Sequence, residues 1–251
     1  MKRHHDYKIN SLGIHDMLVK SNPPIISFKI AWWVLAISSL FILLVGEFTK
    51  IDLMIEDYYY DTSLKTFPWK NVWFAKVLMH IYIKNVILSC GFVLYLVLLI
   101  DMIKPLHIIS GWLRFRLRFI ATASVIIPVT ISLLKKYSVL HCPWDIDRYN
   151  GTAPFMKLLD YVPKSLEAGA CFPGGHASTG LWLASLCVFW LPNNSNKAQY
   201  VFTLGLGTGF ILGWVQQMRG AHFLFHTLWS MWIASFIILL MLQVSNISHK
   251  Y

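Results

Sequence analysis

The residues best suited to chemistry fall in three short segments. In Cys171-Phe-Pro-Gly-Gly-His-Ala-Ser178 a proline and two glycines turn the backbone straight into an apolar run, so His176 stands beside the unpaired N–H groups of a helix start. Such a start attracts anions, phosphate above all, and Gly174 and Gly175 would let one approach the backbone. Upstream, Lys135-Lys136 leads into Cys142-Pro-Trp-Asp145; downstream, Gln216-Gln-Met-Arg-Gly-Ala-His-Phe-Leu-Phe-His226 holds Arg219, His222 and His226. Imidazoles trade protons near neutral pH, and fixed cations stabilise charge on a transferring phosphoryl group. Each residue alone has a plainer reading: Lys and Arg at membrane ends reach for headgroups, and His226 is a polar contact inside a bundle. Convergence of all of them is what favours a site. His222 and His226 could share a helix face as metal ligands, but zinc wants a third, and the glutamate of H-E-x-x-H is missing, so no metal or cofactor is expected.

Convergence requires elements that bring the segments to one side of a membrane. The chain has 251 residues, 56% of them hydrophobic, and a mean hydropathy of +0.54, too apolar for an ordinary soluble domain. The net charge of +10 lies between apolar runs and not on one amphipathic face, which points to phospholipid headgroups and away from nucleic acid. Six runs approach the ~20 residues needed to cross a bilayer: Phe28–Phe48, Asn85–Met102, Phe115–Leu134, Ala177–Leu191, Tyr200–Met218 and Phe225–Val244. They are continuous, not alternating, so the fold class is an all-α membrane protein with six transmembrane helices and not a barrel.

Residues 1–27 are polar, show no signal-peptide pattern and read as a cytoplasmic tail; 28–251 then form one six-span domain with outer loops at 49–84 and 135–176. Lys104, Arg114, Arg116 and Arg118 between the second and third runs favour placing that loop inside, which puts the three segments outside. Ile51–Lys84 mixes acids with Tyr58-Tyr59-Tyr60, Trp69 and Trp73, which fits the headgroup layer or a decorated loop. Gly205, Gly209 and Gly213 recur every fourth residue and predict close helix packing.

The three segments together resemble the type 2 phosphatidic acid phosphatase (PAP2) superfamily, membrane lipid phosphatases that share a site with vanadium haloperoxidases. Its pattern is K-x6-R-P, then P-S-G-H, then S-R-x5-H-x3-D; the counterparts here are Lys135 to Pro143, Pro173 to His176, and Val215 to His226. The resemblance implies His222 as nucleophile, His226 as its orienting partner and His176 as general acid, with Lys135, Gly174 and Gly175 in the phosphate cradle. Four positions depart: Cys142 and Gln216 stand where the family has arginines, Gly174 replaces Ser, and His226 replaces Asp. Neither Cys nor Gln offers a guanidinium's fork of donors, so Arg219 and Arg148 are the substitutes to look for. A bacterial branch with a similar C-P-W and G-A-H-F-x-x-H pattern makes this look like a variant site.

What the resemblance implies is a metal-independent hydrolase acting through a phosphohistidine on a lipid phosphate or diphosphate, at the periplasmic face of a bacterial inner membrane. Undecaprenyl diphosphate, phosphatidylglycerol phosphate, phosphatidic acid and lipid A phosphates are the substrates it suggests. A phosphotransferase between lipids, or an inactive lipid-phosphate binding or transport protein, are the alternatives. Of the four cysteines, Cys90 and Cys187 sit inside apolar runs, whereas Cys142 and Cys171 flank the outer loop. An oxidising exterior would join those two; otherwise they stay free thiols.

Overall fold

The computed structural model describes residues 28–163 and 166–245, so the expected cytoplasmic tail at 1–27 lies outside the described residues. The architecture is all helical, with no β-strand among the described residues. We label the helices α1 (Phe28–Phe48), α2 (Ile51–Tyr59), α3 (Lys84–Ile103, entered through a π-helical stretch, Phe74–Ile83), α4 (Gly111–Lys136), α5 (Gly175–Leu181), α6 (Ser195–Met218) and α7 (Leu224–Val244).

Among the described residues five stretches are long and apolar enough to cross a membrane: Phe28–Phe48, Pro68–Ile103, Gly111–Lys136, Ser195–Met218 and Leu224–Val244. The expectation of six such helices is met for five. The remaining run, Ala177–Leu191, is short as an α-helix: after Leu181 it continues as a 3-10 helix over Trp182–Trp190. That winding rises faster per residue, and the two pieces together extend about 28 Å.

This tightly wound rod is the centre of the bundle. Ala177, Leu181, Trp182, Ala184 and Val188 are buried with Ile120, Ile127 and Ile131 of α4 and Ala234 and Ile238 of α7. The glycines of α6 make the packing possible, as their spacing predicts. A Cβ on Gly205 would strike the Ala184 backbone, one on Gly209 the Leu181 side chain, and one on Gly213 the Thr227 side chain. Large apolar side chains such as Trp33, Phe41, Phe92, Val129 and Ile211 face outward, as a lipid-facing surface requires.

Two arginines expected near the inner headgroups are instead built into the fold. Arg116 is 1% exposed and donates to the carbonyls of Val188 (3.1 Å) and Leu191 (2.6 Å), covering the open end of the 3-10 helix. Arg114 closes the turn between α3 and α4 with two hydrogen bonds to Asp101, at 2.6 and 2.9 Å.

At the opposite end an aromatic cap of Phe67, Ile146, Tyr149 and Phe223 covers the bundle, with Tyr59, Tyr60, Trp144 and Phe155 packed against it. Tyr58 and Trp73 remain exposed. The aromatic segment after the first span is therefore part cap and part surface. The second membrane helix also begins earlier than its apolar run suggests. Lys76, His80 and Lys84 interrupt the hydropathy without ending the helix.

Candidate active site

Each of the three segments is held by backbone geometry. Lys135 lies in the last turn of α4, where unpaired carbonyls favour a cation. The strand-like return of the following loop fixes the glycine turn: Ala170 N–H donates to Ser138 O (2.8 Å) and Cys171 N–H to Leu140 O (3.1 Å). Cys142 and Cys171 form a disulfide with Cα atoms 5.3 Å apart, so the bridged alternative holds over the free thiols. The turn is also tied to α7, because Gly174 N–H donates to His226 O (2.9 Å) and Ser230 Oγ donates to Gly174 O (3.0 Å).

That tie changes the reading of two residues. The Gly174 N–H is committed to His226 and is not a free donor for an anion. A Cβ at Gly174 would sit 3.2 Å from the His226 carbonyl oxygen, so glycine replaces the family serine here because the turn packs against a helix backbone. Gly175 faces the other way. A Cβ built there would lie 3.8 Å from Lys135 Nζ, which places the ammonium directly over the start of α5.

The histidines cluster around this point. His176 and His222 have ring centroids 6.1 Å apart, and His222 and His226 5.8 Å. His222 is 2% exposed, and its Nδ1 lies 3.4 Å from the Cys171 sulfur. Among the described residues no hydrogen bond joins the His222 and His226 rings. Cys171, and not His226, is what faces His222 Nδ1, which corrects the orienting role expected of His226. His226 is instead boxed edge-on by Phe172 and Phe223, with its Nδ1 buried and unpartnered.

The two candidate arginines separate. Arg219 is buried, donates from Nη1 to Gln216 Oε1 (2.7 Å) and from Nε to the Lys70 carbonyl (3.3 Å), and acts on His176 electrostatically. Gln216, which reads in sequence as a lost arginine, is therefore the residue that aims the remaining one. Arg148 lies elsewhere: its fork is taken by Asp57, at 2.8 and 2.6 Å, and Tyr149 Oη donates to the same carboxylate. It braces the cap, and its place in the phosphate cradle is withdrawn.

Two site residues escaped the sequence reading. His80 lies against His176 with ring centroids 4.2 Å apart. Lys84, one turn further along, adds its charge to those of Lys135 and Arg219 at His176. The signal was a K-x3-H-x3-K spacing in an apolar stretch, easily taken for the polar end of a loop.

Burial, followed by the charges of His80, Lys84, Lys135 and Arg219, pushes the His176 imidazole down to about 3. Burial also holds His222 well below its ordinary value, reinforced by His226, Lys135 and His176 and partly opposed by the Cys171 backbone. Both rings are neutral at pH 7. The nearby acids do not cancel the site's cations. Glu56 is fully buried beside Gln217, and burial, then the charge of Asp52, pushes it well above the usual carboxyl range. Asp52 accepts from Phe225 N–H at the start of α7 (3.2 Å) and is raised by burial to about 7.

The Cys142, Cys171 and His222 ligand-type atoms lie within 4.8 Å of one another. Disulfide sulfurs carry no thiolate to bind a metal, so these residues do not fit a metal centre in this oxidised form.

No curated protein and no solved structure matches the chain. A family model, that of the PAP2 superfamily, matches residues 116–250, which hold Lys135, His176, Arg219 and His222 in the order and setting just described. The chain belongs to the PAP2 superfamily.

Proposed function

We propose that this protein is a lipid phosphate or diphosphate phosphatase with His222 as nucleophile. The observation that carries the reading is the meeting of His176 and His222, 6.1 Å apart, beneath Lys135 and Arg219. A neutral His222 is the form that can attack. Its Nδ1 faces Cys171, whose bridged sulfur has no proton to give, so the ring keeps its proton on Nδ1 and presents the Nε2 lone pair to phosphorus.

In the first step the N–P bond forms as the P–O bond to the lipid oxygen breaks, and His176 passes a proton to that oxygen. His176 is neutral before substrate binds, so this proton enters with the substrate, either on a phosphate monoanion or by uptake as the anion's charge raises the imidazole. In the second step water attacks phosphorus, neutral His176 takes its proton, and phosphate leaves with the N–P bond broken. Lys135, Arg219 and the N–H groups at the start of α5 hold the non-bridging oxygens.

The disulfide, a bond that forms and persists in oxidising compartments, supports a site facing the periplasm or cell exterior. With the 3-10 rod counted as an inner crossing, the described residues would make six passes. The test is phosphate release from a panel of lipid phosphates and diphosphates by detergent-purified protein, with vanadate inhibiting and EDTA without effect. No release from any of them, with the wild type folded, leaves the binding-protein reading. Phosphate appearing on a second lipid, and not in water, selects the phosphotransferase.

A further inference from the structure

We propose that His80 and Lys84 form a second wall of the anion site, contacting the substrate's phosphoryl oxygens from a helix that lies outside the family-matched region. Both Cys142 and Gln216 lack the donors that family arginines would supply, and Cys142 is closed off in a disulfide. The second membrane helix brings an imidazole to 4.2 Å from the His176 ring and an ammonium whose charge bears on the same ring. A lipid-facing helix has no structural use for such groups; polar side chains in membrane helices turn toward a bundle interior or a cavity and mark a ligand path.

Two independent features support a ligand. His80 Nδ1 and His176 Nδ1 are both buried without a hydrogen-bond partner in the protein, and a ligand there would supply one. The segment Phe74–Ile83 is also wound as a π-helix, a form that recurs at functional sites because it re-aims side chains relative to an α-helix. The exposed Lys76, on the same helix, bonds instead to Asn71 (3.0 Å) and serves as an internal control.

This inference rests on the phosphoryl-transfer reading, and the experiment separates the two. Vanadate, inorganic phosphate and a short-chain lipid phosphate would be titrated into the purified wild type and the variants Lys84→Ala, Lys84→Arg, His80→Phe and Lys76→Ala, with thermal unfolding recorded for each. The expected result is a loss of vanadate affinity of about tenfold in Lys84→Ala, largely restored in Lys84→Arg, and a similar loss in His80→Phe, which keeps a ring packed on His176 but removes its nitrogens. Lys76→Ala should bind as wild type. Should either Lys84→Ala or His80→Phe fail to fold, the other still decides. Wild-type affinity in the folded variants overturns the second wall. A wild type that binds vanadate yet releases no phosphate from any lipid sinks the phosphatase but keeps the wall, and a wild type that binds none of the three anions sinks both. Weakened binding of lipid phosphate with unchanged inorganic phosphate would place Lys84 on the ester side and contradict a contact to the phosphoryl oxygens.

Discussion

The two sides of the site are built in different ways. The side from α4, α5 and the α6–α7 junction, which carries Lys135, His176, Arg219 and His222, is stitched by backbone hydrogen bonds and a disulfide. The side from α2 and the second membrane helix reaches the centre mostly through side chains, His80 and Lys84 toward His176, Asp52 and Glu56 toward α7 and Gln217, with the Lys70 carbonyl accepting from Arg219 as its backbone contact. The first side fixes geometry, which phosphoryl transfer needs most. The second adjusts charge around it.

That contrast is most severely tested by His222→Ala. Removing the proposed nucleophile should lower lipid phosphatase activity by 10³-fold or more while the protein still elutes as a folded species. Near-normal turnover in His222→Ala, with loss in His226→Ala, would mean that the nucleophile has been placed one helical turn too early. Next in size is His176→Ala, expected to cost about 10²-fold on a poor leaving group and much less on an aryl phosphate, whose oxygen departs without a proton. A uniform loss across leaving groups would remove the general-acid role.

The disulfide comes third. Closing a loop across 29 residues contributes about 3 kcal/mol, so Cys142→Ser with Cys171→Ser should lower the Tm by about 6 to 12 °C. Because Cys171 faces His222, kcat should fall as well in protein that is still folded. Stability loss with unchanged kcat would show the bridge to be a strap with no part in aiming the nucleophile.

The smallest effect belongs to the second side. Asp52 is raised to about 7 in the folded protein against an ordinary 3.8, so between those values the folded state binds the extra proton. Stability is therefore present at low pH and is lost as pH rises from about 4 through 7. Asp52→Asn should flatten that slope by a few degrees in Tm between pH 5 and pH 8 in detergent. An unchanged slope would assign the titration elsewhere.

The sequence made the first wall legible because motifs are local: Lys135, His176, Arg219 and His222 stand at spacings that survive without knowing the fold. Gly205, Gly209 and Gly213 were equally readable as packing. What stayed hidden depended on contacts between distant segments. Nothing near Gln216 shows that it aims Arg219, nothing near Gly174 shows the His226 carbonyl against it, and Arg148 looks free until Asp57, 91 residues away, takes its fork. His80 and Lys84 were misplaced for a simpler reason: hydropathy treats a charge as the end of a membrane helix, whereas a bundle interior can accept one. The 3-10 winding of Trp182–Trp190 has the same character, since length in residues understates its reach.

The central claim is that His222 carries the phosphoryl group, and it is tested most directly by trapping it. Purified protein would be mixed briefly with a ³²P-labelled lipid phosphate, quenched in alkali, and digested for mapping by mass spectrometry. An alkali-stable, acid-labile phosphate on the peptide containing His222, absent from His222→Ala, is the predicted result. Steady turnover with no trapped phosphate, or label on His176 or His226, would contradict it.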